Sequence, residues 1–146
     1  MRIESKDYVE VAQERLKEAN LLYDESRYSL ALYVAGVAVE SLLRGYVFRL
    51  GPMLEAAHNL KLLWKASELS SLVTSAESLQ IDAANSTLFR RWKNDLRYTS
   101  NDRLRRRLKR LKLDRGIHGD FLKENCRNAI EAATTILKVG VAKWQP

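Results

Sequence analysis

The chain has 146 residues, of which 46% are hydrophobic and 29% charged, with a net charge of +7. This length and composition predict a single globular domain over residues 1–146. No run approaches the ~18 apolar residues of a membrane span, and the first residues lack the apolar stretch of a signal peptide. The single cysteine, Cys126, excludes an internal disulfide. We therefore expect a cytoplasmic protein that has no membrane partner.

The first half of the chain predicts two long helices. Over residues 7–25, apolar side chains recur every three or four positions, as on one face of a helix. Residues 28–50 form a second segment that is apolar nearly all round, which indicates a central position. We expect Ser29 to cap its start and Gly51-Pro52 to end it. A neighbouring helix could approach closely at its small residues, which are Ala35, Gly36, Ala38 and Gly45.

The middle of the chain predicts a short helix and a long one. The short helix runs from about residue 59 to 69 and begins at His58 or Asn59, and the Ser-rich stretch after it weakens helicity. The helical pattern then resumes over residues 76–98. The side chains expected to face inward there are Leu79, Ala83, Ala84, Leu88, Trp92 and Leu96.

Positive charge is concentrated in residues 90–115, which contain twelve Lys and Arg residues against three Asp. Such a local excess is typical of a surface that meets a polyanion or an acidic partner, although it also occurs on solvated helix faces. Within the domain, residues 99–118 predict a basic insert that is closed by Gly116 and Gly119. Its thin stripe of leucines fits either an amphipathic helix or a helical extension from the core.

A last helix is predicted from residue 120 to about 144, with Cys126 on its apolar face. The sequence contains no clean two-residue alternation and no hairpin turn signal, so we expect no β-sheet. The predicted fold is all-α, an antiparallel helical bundle of four long helices plus one or two short helices.

A family resemblance lies in the second predicted helix. Residues 36–44 read Gly-Val-Ala-Val-Glu-Ser-Leu-Leu-Arg and match an Ala-x-x-x-Glu-x-Leu-Leu-Lys-like stretch at Glu40, Leu42 and Leu43. The next predicted helix opens with His58-Asn59-Leu60. Together with the helical order, these segments resemble a HEPN domain (higher eukaryotes and prokaryotes nucleotide-binding) over most of the chain. The resemblance implies a HEPN-like bundle that forms a homodimer.

The nuclease motif of that family is altered in this chain. Nuclease members carry Arg-x(4–6)-His near the start of a late helix, often as Arg-Asn-x-Leu-Val-His. The corresponding segment is Lys93-Asn94-Asp95-Leu96-Arg97-Tyr98, in which Lys replaces the Arg and Tyr replaces the His. A second branch of the family ends this segment in Arg-Tyr, as here. Histidine exchanges protons near neutral pH, whereas tyrosine, with a pKa of roughly 10, is a poor substitute.

We therefore predict a non-catalytic module that binds nucleic acid or nucleotide, with RNA or a nucleotide as its ligand and without a cofactor or a metal site. The residues expected to bind are Arg90, Arg91, Lys93, Asn94, Arg97, Tyr98, Arg103, Arg105, Arg106, Arg107, Lys109 and Arg110. The resemblance further implies a nucleotidyltransferase partner protein, or a place in a toxin–antitoxin or phage-defence system.

Two other functions stay open at this point. The chain could be a divergent HEPN ribonuclease toxin that uses Lys93, Asn94, Arg97 and Tyr98. It could instead be a helical protein–protein adaptor whose basic stretch meets an acidic protein. Glu40 also has two interpretations, as a structural ion pair or as a site carboxylate opposite Arg97, and the former is the commoner role of a carboxylate in an apolar setting.

Overall fold

The computed structural model describes residues 1–51 and 58–144, and this part of the chain forms six α-helices and two 3-10 segments without a β-strand. The α-helices are α1 (Ser5–Asp24), α2 (Tyr28–Leu50), α3 (Leu60–Ser67), α4 (Ser75–Arg91), α5 (Asn101–Arg110) and α6 (Phe121–Lys143), and the 3-10 segments span Leu69–Leu72 and Asn94–Tyr98. Four helices are long and two are short. The predicted all-α antiparallel bundle is confirmed.

Helix α2 lies at the centre of the bundle and packs against α1, α3 and α6. Contrary to the expectation from the sequence, α2 is long and apolar enough to cross a membrane by length and composition alone, but most of its apolar stretch is buried inside the fold, as in the core helix of a bundle. The predicted close approach of helices is confirmed at Gly45, where a Cβ atom would lie 3.0 Å from the Ser5 carbonyl oxygen of α1. Helix α6 approaches α2 equally closely, because a Cβ atom at Gly140 would lie 2.4 Å from Leu42 Cδ2.

The helix ends follow local capping chemistry. The Asn59 side chain accepts a hydrogen bond from the Leu62 amide and caps α3, which confirms one of the two predicted starts. Thr74 and Glu77 form a reciprocal capping box at the start of α4. The prediction that Ser29 caps α2 is wrong, because the helix begins at Tyr28, as expected, and Arg27 occupies the cap position. Helix α2 ends at Leu50 before Gly51, which has a φ of 129°, and Pro52 lies outside the described residues.

A single continuous helix over residues 76–98 is also a wrong prediction. Helix α4 ends at Arg91, Trp92 and Lys93 are extended, and the chain then forms the second 3-10 segment. The physical reason is the side chain of Trp92, which is buried against α2 instead of continuing the apolar stripe of α4. Its indole Nε1 donates to the Tyr33 carbonyl oxygen at 2.9 Å, and its ring stacks on the Tyr33 ring.

Gly36 is the position on α2 that receives this indole. A Cβ atom there would lie 2.0 Å from both Cδ1 and Nε1 of Trp92, which is closer than any real contact. We expected Gly36 to allow the close approach of a neighbouring helix, but it makes room for a single aromatic ring.

The inward face of α4 differs from its prediction. Leu79 is 75% exposed and Ala83 is also exposed, so the expectation that both face the core is wrong. The buried residues of this helix are Ile81, Ala84, Asn85 and Leu88. These residues recur every three or four positions, so they share one face of the helix. This face differs from the predicted one in the first half of the helix, where Ile81 is buried and Leu79 is not.

The basic segment folds as an amphipathic helix on the body of the bundle. Leu104 and Leu108 of α5 are fully buried, and Leu113 beyond its end is buried as well. Helix α5 ends at Arg110 because Lys112 takes a left-handed conformation with a φ of 60°. The helix thus stops before Gly116 and Gly119, which lie in the turns that follow and have positive φ angles.

The space that Gly36 leaves for the Trp92 indole, which we call the Gly36 notch, supports a stability prediction. An alanine inside a helix normally stabilises it relative to glycine, but Gly36→Ala would drive a methyl group into the Trp92 indole. We expect a loss of about 1–3 kcal/mol in the free energy of unfolding, measured by urea denaturation. The double variant Gly36→Ala/Trp92→Leu should lose less than the sum of the two single variants, and strict additivity would contradict the contact.

Candidate nucleic-acid interface

The connecting segment, residues 92–101, joins α4 to α5 and is fixed to α2 at both of its ends. At its start, Trp92 occupies the Gly36 notch, and Leu96 in its middle is buried. At its end, the Ser29 hydroxyl donates to the Thr99 carbonyl oxygen, and the Ser29 amide donates to Asn101 Oδ1 at 3.0 Å. Side chains on the outer side of this segment are therefore held in place by contacts on its inner side.

The far end of α5 is fixed by hydrogen bonds from α4 and α6. Arg90 of α4 donates to the Leu111 carbonyl oxygen at 2.8 Å. Asn125 of α6 is completely buried and donates to the Leu113 carbonyl oxygen at 2.9 Å. Its Oδ1 accepts from Arg91 Nε at 2.9 Å. One buried amide thus ties the end of α4 to the turn after α5.

A groove of about 340 Å³ opens between the connecting segment and α5. The connecting segment contributes one side, and the arginines at positions 103, 107 and 110 of α5 form the other. These positions are spaced i, i+4 and i+7, so they share one face of the helix, while the buried leucines occupy another. The lining residues are Lys93, Asp95, Tyr98, Thr99, Arg103, Arg107, Arg110 and Leu111. We call this the cationic groove.

The cations of the groove lack close counter-charges. In the described part of the chain, no carboxylate oxygen lies within 4.0 Å of the charged nitrogens of Lys93, Arg103, Arg107 or Arg110. The pKa of Arg107 is lowered, chiefly because burial removes water from its guanidinium. The attraction of Asp95 opposes this shift, and repulsion from Arg110 adds to it. Arg107 nevertheless stays protonated, because a guanidinium keeps its proton in proteins. The groove therefore presents four positive charges against one carboxylate.

A comparison with known protein families fits this geometry. The family model for the HEPN domain matches residues 5–144, which is nearly the whole chain. The chain belongs to the HEPN domain family. No curated protein and no solved structure gives a significant match. The resemblance found in the sequence is thus confirmed, and it covers every helix from α1 to α6.

Of the twelve binding residues predicted from the sequence, five line the cationic groove of this HEPN domain: Lys93, Tyr98, Arg103, Arg107 and Arg110. The others lie outside its lining. Arg90 and Arg91 make the structural hydrogen bonds described above. The pKa of Arg91 is lowered, mainly by burial and to a smaller extent by repulsion from Arg90. Arg105 pairs with Asp102 at 2.7 Å, and Lys109 lies 5.7 Å from the Phe121 ring centroid. Arg106 is exposed on the outer face of α5.

The altered motif of this HEPN domain lies on the 3-10 segment, at the edge of the groove. Tyr98 is 76% exposed, and the guanidinium carbon of Arg97 is 4.7 Å from its ring centroid. Asn94 Oδ1 is buried and has no hydrogen-bond partner among the described residues. The motif thus presents a tyrosine and two cations to solvent, with the amide turned inward.

Neither histidine of the chain lines the groove. His58 Nδ1 lies 2.5 Å from Glu40 Oε1, and the same carboxylate oxygen accepts from Arg44 at 3.1 Å. Glu40 is therefore part of a structural ion pair and does not face Arg97. His118 is exposed in the turn between Gly116 and Gly119. In residues 1–51 and 58–144, no three His, Cys, Asp or Glu side chains form a group that could hold a metal ion.

Three lining residues were missed from the sequence, namely Asp95, Thr99 and Leu111. The spacing of Arg103, Arg107 and Arg110 on one face, next to the face of Leu104 and Leu108, was a usable signal for the α5 side of the groove. No comparable signal existed for the other side. It depends on the end of α4 at Arg91 and on hydrogen bonds between residues about 70 positions apart.

The buried amide of Asn125 supports a prediction about the groove. Asn125→Ala removes the acceptor of Arg91 Nε and the donor to the Leu113 carbonyl oxygen, both in a buried setting. We expect a loss of about 2–3 kcal/mol in the free energy of unfolding, measured by urea denaturation. Asn128→Ala is the matched control, since Asn128 is only half-buried and its side chain makes no hydrogen bond to the described residues. Equal losses for the two variants would contradict the network.

Proposed function

We propose that this HEPN domain binds RNA or a nucleotide through the phosphate groups, using the cationic groove, and that it does so without catalysis. The observation that carries the proposal is the set of four cations without a carboxylate within 4.0 Å among the described residues. Like charges held together cost stability unless an anion neutralises them. A phosphate group supplies that anion, and Arg binds its oxygens in a bidentate manner.

The arrangement of the arginines favours a chain of phosphates over a single one. At a helical rise of about 1.5 Å per residue, positions 103 to 110 extend over roughly 10 Å. Lys93 approaches the same space from the connecting segment. Such an array can follow consecutive phosphates of a strand, which favours RNA over a mononucleotide. The contacts are to the backbone, so we propose binding with little dependence on base sequence.

The non-catalytic part of the proposal depends on the chemistry of the lining side chains. Cleavage of RNA at such a site needs a group that exchanges protons near neutral pH. The groove is lined by Tyr98 where the nuclease motif places histidine, and His58 is engaged with Glu40 on another part of the fold. The cations of the groove can therefore hold a phosphate, but Tyr98 is not suited to take over the proton transfer of the motif's histidine.

The setting of this activity follows from the family and is also a proposal. We propose a cytoplasmic homodimer that works beside a nucleotidyltransferase, or in a toxin–antitoxin or phage-defence system. Light scattering of the purified protein measures the oligomeric state directly, and a monomer at all concentrations would contradict the homodimer.

The groove itself can be tested with two variants of equal charge. Arg103→Gln/Arg110→Gln removes two lining cations, and Arg105→Gln/Arg106→Gln removes two from other faces of the same helix. We expect wild-type protein to bind a single-stranded RNA 12-mer with a steep dependence on salt, measured by fluorescence anisotropy. The first variant should lower the slope of log affinity against log salt by roughly 0.7 for each lost contact, and the control should keep it closer to wild type.

Two results would contradict this proposal. Equal effects of the two variants would show that overall charge, and no particular groove, drives binding. Absence of RNA and nucleotide binding would remove the proposal, and stable capture of an acidic protein in that case would support the adaptor alternative.

Catalysis is tested separately by incubating single-stranded RNA with the purified protein and following its length on denaturing gels. We expect no cleavage above background, because a tyrosine stands where the nuclease motif has its histidine. Cleavage that disappears in Arg97→Ala or Tyr98→Ala would instead establish the divergent ribonuclease. A heat-denatured sample of the same preparation controls for contaminating nuclease.

A further inference from the structure

The cationic groove contains a carboxylate that phosphate binding does not explain. Among the described lining residues, Asp95 alone is acidic, and it lies on the 3-10 segment opposite the arginines of α5. A phosphate in the groove would be repelled by it. Replacing it with a neutral side chain would make the groove a stronger anion site, so its presence needs another reason.

The position of Asp95 is fixed by its neighbours. The next residue, Leu96, is buried in the core. The Thr99 hydroxyl donates to the Asp95 carbonyl oxygen at 3.1 Å, which closes the 3-10 segment. The backbone therefore cannot swing the carboxylate out of the groove without exposing the leucine.

The carboxylate is also left without a close partner inside the protein. In the part of the chain that the structure describes, no Lys, Arg or His nitrogen lies within 4.0 Å of it. Its interaction with Arg107 is a longer-range attraction across the groove. The Asp95 side chain is exposed, so its oxygens are free to accept hydrogen bonds from a ligand.

An ionised carboxylate only accepts hydrogen bonds, so it must face a donor on the ligand. In a strand of RNA, the donor of the sugar beside each phosphate is the ribose 2′-hydroxyl, which DNA lacks. The groove, at about 340 Å³, lies near the lower end of ligand-pocket volumes, so we expect a sugar between two bound phosphates to lie close to its walls. The amino groups of bases are a second source of donors.

We propose that Asp95 determines specificity by accepting a hydrogen bond from the ribose 2′-hydroxyl, so that the cationic groove prefers RNA to DNA. This inference depends on the proposed function, because it concerns the same groove. In this arrangement the arginines of α5 hold the phosphates, and Asp95 reads the sugar.

The test compares a 12-mer of uridine with the matching 12-mer of deoxyuridine, which differ in the 2′-hydroxyl, by fluorescence anisotropy at fixed salt. We expect wild-type protein to bind the RNA about tenfold more tightly, and Asp95→Ala to bring this ratio close to one. Asp102→Ala is the control, since it removes the same charge from the same surface outside the groove lining. Both variants should strengthen binding of the DNA 12-mer, but only the control should strengthen binding of the RNA by the same factor and so keep the ratio.

The outcomes separate this inference from the proposed function. If wild-type protein binds both oligonucleotides equally, or if Asp95→Ala strengthens both by one factor and keeps the ratio, Asp95 is only a counter-charge and the inference is overturned. A 12-mer of cytidine, whose base carries an amino group, tests the second source of donors. If wild-type protein prefers it to the uridine 12-mer, and Asp95→Ala removes this preference but keeps the RNA to DNA ratio, the donor is a base amine and the inference is likewise overturned. Absence of binding to either strand overturns the proposed function as well.

Discussion

The cationic groove depends on the contact between Trp92 and the notch at Gly36. Glycine leaves the space for the indole, and the Tyr33 carbonyl oxygen accepts its N–H, so the ring cannot remain on the face of α4. Helix α4 therefore ends one residue earlier, at Arg91. In a continuous helix, residues 93, 95 and 98 would be spread around the axis at about 100° per residue. The break places all three on the side of the connecting segment that faces α5.

The helices could be predicted because each must bury an apolar stripe, and the spacing of that stripe is visible in the sequence. The break after Arg91 could not, because Leu88, Trp92 and Leu96 are spaced four apart and fit a continuous helix equally well. All three are buried, as predicted, but Trp92 reaches the core from extended backbone and Leu96 from the 3-10 segment. Only a partner elsewhere in the chain, here Gly36, distinguishes the two arrangements.

The functional prediction was limited by the same dependence on distant partners. A run of twelve cations indicates a polyanion surface, and composition does not separate the cations that bind from those that hold the fold. Arg91 is bound to a buried amide on α6, 34 residues away, whereas Arg107 faces an open groove. Spacing alone separates part of this set, because Arg103, Arg107 and Arg110 share a face that avoids the buried Leu104 and Leu108.

The connecting segment has two sides with opposite chemical requirements. Its inner side must be apolar and hydrogen-bonded to α2, because Leu96 and Trp92 fix the backbone there. Its outer side is charged and open to water, as the proposed exchange of a phosphate with water requires. Cations kept apart from carboxylates repel one another, and Arg107 in addition loses solvation. A phosphate bound as proposed would offset both costs, and ligand binding and the stability of the connecting segment would then be coupled by the same charges.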